Sequence, residues 1–395
     1  MRLITRAYTA YIDISAIAVI SKRDPVPSIS ILAGASAVAK GVFRVNGEDV
    51  HDDSPDRWLA APALDDVEDA ARALKNVAVE TPLLENVEVN EVLFSRLLVK
   101  AEMAQRTGSF KFRGAYNRIR QLDDAARARG VIAYSSGNHA QAVACAARMM
   151  GTKSLIVMPS DAPSNKMVRT RELGAEIITY NRADETREDV AERVSAERDL
   201  VMVPPNEDLR VLAGAGTVAL ELVRQSGALG AVPDIVLVPC GGGGLTAATA
   251  LVFRELSPGT KVFGVEPELF DDTLRSLQAG RRVANPKGRR TICDAIMTDI
   301  PGELTFSINR ELLSGVLTVS DDDVRFAMKF AFDQFKIVIE PGAAVGLAAV
   351  LRGKIDIKGK TIAVVATGGN VDAERFCTAL GAAANLEQRE HQNGT

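Results

Sequence analysis

Lys111 stands in the run Gln105 to Ala115, with small residues before it, Phe110 and Phe112 on either side and Arg113 two positions on. An amine turns nucleophilic when burial or a neighbouring cation disfavours its ammonium form, and Arg113 is the expected cation. Such an amine condenses with an aldehyde to give a Schiff base. Lysines between aromatics also occur as snorkelling surface residues, so corroboration has to come from elsewhere in the chain.

A second chemical element is Cys240-Gly241-Gly242-Gly243-Gly244-Leu245, placed after an apolar run ending at Pro239. Consecutive glycines before a helix present free backbone amides to a phosphate. The same run fits a dinucleotide fingerprint, Gly242-x-Gly244-x-x-Ala247, with Glu266 22 residues beyond Gly244 as the acid for a ribose. An NAD-dependent dehydrogenase is therefore the reading of another class. Ser135-Ser136-Gly137-Asn138-His139 precedes a helical stretch and offers hydroxyls, a carboxamide and amides to a carboxylate, although one serine there is also the ordinary helix cap. Thr367-Gly368-Gly369-Asn370 ends the last apolar run with a neutral hydroxyl and two glycines.

The elements that must carry these groups alternate between apolar runs and amphipathic segments from about residue 62, which indicates an α/β fold with parallel sheets flanked by helices. Strands are expected at Leu97–Lys100, Val131–Tyr134, Ser154–Met158, Glu176–Tyr180, Asp234–Pro239, Lys261–Val265 and Thr361–Ala366, and helices at Asn138–Met150 and Asn165–Leu173. Residues 130–207, closed by Pro204-Pro205, read as a small domain. Residues 56–129 and 208–380 read as a large cofactor domain, with the ligand between the two. Residues 1–55 read as a poorly ordered extension and 381–395 as a polar tail.

The 395 residues, 47% hydrophobic and 25% charged, are enough for a large core. A net charge of −4, from 47 basic and 51 acidic residues, leaves no basic footprint for nucleic acid. Four cysteines without paired spacing and three histidines argue against zinc and for reduced thiols in the cytoplasm. The apolar stretch of the first 20 residues is broken by Asp13 and is too short for a membrane span.

Together, the lysine run, the Ser-Ser-Gly-Asn-His loop, the tetraglycine loop and the hydroxyl-Gly-Gly-Asn run resemble, in order and separation, the pyridoxal-phosphate enzymes of the tryptophan synthase β fold (fold type II). The match runs from about Thr81 to Asp372 and points to the threonine/serine dehydratase and serine racemase branch. The resemblance implies that Lys111 holds the cofactor, Phe110 packs on its ring, Gly241, Gly242, Gly243 and Gly244 bind its phosphate, and Asn138 binds its phenolic oxygen. Thr367, where the family usually has serine or cysteine, would face the pyridine nitrogen. Ser135, Asn138 and His139 would receive the substrate carboxylate, and Ser136 would be the base on the opposite face.

The implied activity is that of an L-threonine/L-serine ammonia-lyase, giving a 2-oxo acid and ammonia by β-elimination of water. The alternatives within the family are 3-hydroxyaspartate dehydratase and serine racemase. Arg187 falls where relatives acting on dicarboxylates place a carboxylate-binding arginine, although its charged neighbours also suggest a surface ion pair with Glu188. Glu266, the Phe270 carbonyl and Asp272 match the family's divalent-cation loop, for magnesium or calcium in a structural role. Glu340 lies in another family-like segment. A homodimer or homotetramer is implied, and the short stretch after Asp372 gives no expectation of a regulatory domain.

Overall fold

The computed structural model describes residues 42–45, 48–51 and 61–393, apart from 163. The expected extension 1–55 lies outside the described residues except for an antiparallel pair, β1 (Val42–Val45) and β2 (Glu48–His51). The expected tail from residue 381 belongs to the helix Ala373–Asn393.

The remaining strands form two sheets, as the alternation of apolar and amphipathic segments indicated. They are β3 (Leu83–Glu85), β4 (Arg96–Ala101), β5 (Val131–Tyr134), β6 (Ser154–Pro159), β7 (Glu176–Tyr180), β8 (Val201–Met202), β9 (Ile235–Pro239), β10 (Lys261–Pro267), β11 (Gly315–Val319) and β12 (Thr361–Ala366). The larger sheet has the order β11-β10-β9-β12-β4-β3, parallel except where β3 meets β4. The smaller, wholly parallel, has the order β7-β6-β5-β8.

The continuous apolar runs reflect burial on both faces, as expected where helices cover each side of a parallel sheet. Ile235 and Leu237 of β9, with Ile362 and Val364 of β12, pack on the Ala-rich helix Pro341–Leu351. Val236, Val238, Ala363 and Val365 face the other way, onto the helices Leu209–Ala228 and Gly244–Leu256. This period of two places neighbouring strand residues in two different cores. The helix Lys111–Arg120 links the sheets, since its Phe112, Ala115 and Ile119 pack with Val131, Ala133 and Val143 around the smaller one.

Besides β1 and β2, which fall in the stretch read as a poorly ordered extension, three strands of the two larger sheets were not anticipated. β3 and β8 have only three and two residues, and β11 is an edge strand with only part of its face buried. The lysine run, the Ser135–His139 loop, the glycine loop and the Thr367 turn follow β4, β5, β9 and β12, so the site forms at carboxyl ends of parallel strands.

Candidate active site

Lys111 opens the helix Lys111–Arg120. The approach to it is stitched to the turn after β12: the Phe110 amide donates to the Thr367 carbonyl at 3.1 Å and the Gly369 amide to the Gly108 carbonyl at 2.9 Å. The lysine Nζ donates to the Pro205 carbonyl at 2.7 Å and stands 5.1 Å from the Phe110 ring centre. Burial, helped by the positive charge of Arg187, brings its pKa down to about 8. The second cation is thus Arg187 and not Arg113, whose guanidinium turns away into the carboxylates of Glu102 and Glu221. Two positions along a helix is about 200° of rotation, which sends the two side chains to opposite sides.

The tetraglycine loop leaves β9 with its carbonyls already engaged. Asn206 Nδ2 and Thr305 Oγ1 donate to the Gly242 carbonyl at 3.0 and 2.6 Å, and Thr246 Oγ1 and Asn309 Nδ2 to that of Gly243 at 2.8 and 3.1 Å. Among the described residues, none of the Gly241, Gly242 and Gly243 amides donates to a protein group. Space explains the composition: a Cβ on Gly242 would lie 2.5 Å from Asn206 Nδ2, and one on Gly243 2.6 Å from Asn309 Nδ2. Gly243 also has φ +85°, which favours glycine. One pocket is lined by Phe110, Lys111, Pro205, Asn206, Gly244 and Leu245, so the lysine and the last residue of the glycine loop border a common space.

The loop after β5 ends at an N-terminus that no side chain caps, with Gly137 in the capping position of the helix Asn138–Met149. Ser135 Oγ accepts from the Gly137 amide at 3.1 Å and so shapes the loop. Asn138 Nδ2 donates to Glu340 Oε1 at 2.6 Å, while its Oδ1 accepts from Asn370 Nδ2 at 2.8 Å. Buried Glu340 has its pKa raised to about 7 by desolvation. His139 is buried, its Nε2 lies 2.8 Å from the Val203 carbonyl, and burial depresses its pKa to about 3. A neutral ring whose hydrogen is committed to that carbonyl has no donor left, so His139 offers a carboxylate only its amide. Ser136 is partly exposed on the same loop, and Thr367 is buried, with its carbonyl on the Phe110 amide.

Arg187 opens the helix Arg187–Arg198, bonds Glu188 at 2.7 Å and lies 5.7 Å from the Tyr134 ring centre. It makes the expected ion pair and also directs its field at Lys111. Glu266 and Asp272 are both buried, and desolvation raises them to about 8 and about 7, with Asp272 adding to the shift at Glu266. Glu266 accepts from the Thr273 and Leu274 amides at 2.9 and 3.0 Å, and Asn285 Nδ2 donates to Asp272 at 2.7 Å. A carboxylate buried and capping the helix Asp272–Ala279 is not free for a ribose, and the dehydrogenase reading loses its acid.

The sequence reading missed Pro205, Asn206, Thr305 and Asn309 as parts of the site, and gave Asn370 no partner within its run. Asn206 lies beside Pro204-Pro205, which read only as a domain boundary. The amines, amides and aromatic face fit a phosphate-bearing aldehyde: unengaged glycine amides for the anion, a low-pKa amine for the aldehyde, and Phe110 for a ring.

The comparisons agree with that fit. Residues 75–368 match the family described as Pyridoxal-phosphate dependent enzyme. An L-threo-3-hydroxyaspartate ammonia-lyase of Saccharomyces cerevisiae is 42% identical over 82% of this chain and 97% of its own length. A serine racemase of Schizosaccharomyces pombe is 40% identical over 80% and 97%. The solved structure of a threonine deaminase from T.th. superposes with a TM-score of 0.74 and 42% identity, covering 79% of this chain and 99% of that one. The chain belongs to the pyridoxal-phosphate-dependent enzymes of fold type II, in the group that holds ammonia-lyases and serine racemases, and its cofactor is pyridoxal phosphate.

Proposed function

We propose that this enzyme is an ammonia-lyase for a small β-hydroxy amino acid, and that 3-hydroxyaspartate is preferred over L-serine and L-threonine. The observation that carries the preference is the guanidinium of Arg187, which lies 5.7 Å from the ring centre of Tyr134, the residue that leads into the Ser135–His139 loop, and whose charge helps lower the Lys111 pKa. A planar fork at that position suits a second carboxylate in bidentate fashion. The hydroxyaspartate ammonia-lyase likeness supports it.

In this reading Lys111 holds the cofactor aldehyde, the Gly241–Gly244 amides its phosphate, Phe110 one ring face, Asn138 its phenolic oxygen, and Thr367 its pyridine nitrogen. Bound there, pyridoxal phosphate supplies an electron sink for the substrate α-carbon. The amides of Asn138 and His139 at the uncapped helix N-terminus receive the α-carboxylate, and Ser135 keeps the loop shaped for it. Displaced from the aldehyde by the substrate's own amino group, the Lys111 amine is free again, and with a pKa near 8 it takes the α-proton near neutral pH. The β-hydroxyl leaves with a proton as water, and hydrolysis returns that water to give a 2-oxo acid and ammonia. Ser136, on the same loop as the carboxylate amides, is the candidate for a proton on the other face, which makes serine racemisation a side reaction.

The family likeness supports a cytoplasmic homodimer or homotetramer, and among the described residues no helix is long and apolar enough to cross a membrane. The deciding experiment measures 2-oxo acid release from L-threo-3-hydroxyaspartate, L-serine and L-threonine by the wild type, Lys111→Ala and Arg187→Met. We expect K111A to be inactive on all three. R187M should lose about 100-fold in kcat/KM on hydroxyaspartate, the size of a lost charged pair, and less than about threefold on serine. Equal effects of R187M on both, with threonine or serine the better substrate, would establish the threonine/serine reading instead.

A further inference from the structure

The run Val203 to Asp208 touches several parts of the site at once. Val203 continues from β8, its amide donating to the Ile132 carbonyl at 2.8 Å and its own carbonyl lying 2.8 Å from His139 Nε2. Two residues on, the Pro205 carbonyl accepts the Lys111 amine at 2.7 Å. Asn206 holds the Gly242 carbonyl. Glu207 accepts from the Leu304 and Thr305 amides at 2.9 and 3.3 Å and so caps the helix whose Thr305 and Asn309 hold the glycine loop. Asp208 caps the helix Leu209–Ala228.

The first part of this run is stiff by composition. Pro204 and Pro205 each have φ fixed near −65°, and the residues before them, Val203 and Pro204, are held to extended conformations. A shift at Val203 is therefore carried to the Pro205 carbonyl instead of being absorbed between them.

The Val203 carbonyl can only accept, so the His139 ring must carry its hydrogen on Nε2, and Nδ1 is left buried without a partner. Burial keeps that ring neutral, so the bond does not switch over the working pH range.

We propose that the His139 imidazole is a positioning residue for Lys111: by holding the Val203 carbonyl it sets where the Pro204-Pro205 segment places the carbonyl that receives the lysine amine. The inference rests on Lys111 being the reactive amine, which K111A tests separately. The role belongs to the ring and is distinct from that of the His139 amide.

Three variants of the full chain test it, with His139→Gln able to place an amide N–H where Nε2 stood and His139→Asn too short to do so. Two readouts apply: steady-state kinetics of the holoenzyme, and acetylation of Lys111 relative to exposed Lys153, followed by mass spectrometry before cofactor is added. H139N should lower kcat by at least about tenfold with KM within about twofold, the pattern of a misplaced reacting group, and should change Lys111 acetylation by about threefold or more. H139Q should recover most of both. Pro204→Gly leaves the histidine bond in place and removes the stiffness, and should reproduce the loss. H139N behaving as wild type in both readouts overturns the proposal, and so does H139Q failing as badly as H139N, which would mean that ring shape and not the bond matters. If H139N does not fold, P204G decides: wild-type kcat and acetylation in that variant refute the transmission.

Discussion

Arg113 and Glu102 form a buried two-point ion pair, with Nε and Nη2 donating to the two carboxylate oxygens at 2.9 and 2.8 Å. Glu221 takes Nη1 and Nη2 at 2.7 and 2.9 Å and also receives Lys100 at 2.7 Å. Two acids and two bases thus compensate one another out of water. Burial pushes the Glu102 carboxyl up, yet Arg113 holds it below the ordinary glutamate range. The arginine beside the reactive lysine is thereby a rivet between the end of β4, the lysine helix and the helix Leu209–Ala228. Arg113→Met leaves Glu102 charged and without its fork, and should lower unfolding free energy by about 3–5 kcal/mol in a denaturant titration. A loss below about 1 kcal/mol would show that the cluster does not hold these elements together.

Gly243 offers a test of the phosphate loop that removes no side chain of the site. Gly243→Ala puts a Cβ 2.6 Å from Asn309 Nδ2 on a backbone with φ +85°. A left-handed non-glycine residue costs about 1–3 kcal/mol, so the loop should shift and pyridoxal phosphate affinity fall roughly 10- to 100-fold. Equilibrium titration of the stripped enzyme with the cofactor, followed by absorbance, measures this; unchanged affinity would mean that the loop is not the anion site.

What the sequence made legible and what it hid follow one division. β5, β7 and β12 have their expected bounds because each is a short run dominated by apolar and β-branched residues. The lysine and glycine motifs stand out because chemistry restricts residue type there: Gly243 cannot bear a Cβ in its place. Arg187 in place of Arg113 as the cation near Lys111 was hidden, since helical rotation and the packing of β5 against the helix Arg187–Arg198 decide it across about 76 residues of chain. Asn206, Thr305 and Asn309 were hidden for a related reason. They bond main-chain carbonyls, and such contacts place few demands on local sequence.

Glu266 and Asp272 let the expected cation loop be tested, although among the described residues no group of three or more His, Cys, Asp or Glu could hold a metal ion. Both carboxyls are raised by desolvation, Glu266 further by Asp272, so without an ion the folded chain keeps protons that the unfolded chain has released. Stability then declines as pH rises from about 4, where free carboxyls ionise, through about 7 and 8. A divalent cation held by the two acids and the Phe270 carbonyl, the set the family resemblance implies, would cancel that loss. Magnesium or calcium should raise the melting temperature of chelator-treated enzyme, more at pH 8 than at pH 5, and Asp272→Asn should abolish the gain. Identical melting curves with and without both ions at pH 8 would exclude the site.

Glu340 joins the Asn138 side chain to the turn at Gly368: its Oε1 accepts from Asn138 and its amide donates to the Gly368 carbonyl at 3.1 Å. Desolvation first, then the negative charge of Asp294, lifts its carboxyl to about 7 against the pull of Asn138 and Lys166. In the unfolded chain the same group ionises near 4.3. Between these values the folded protein binds the extra proton, so stability falls as pH rises from about 4 to 7 and the loss is complete above 7. Glu340→Gln keeps an acceptor for Asn138 and never ionises. Its urea midpoint should exceed that of the wild type at pH 8, and the gap should close as pH falls toward 4. A gap of the same size at pH 4 and pH 8 would mean that packing, and not the charge on this carboxyl, sets the difference.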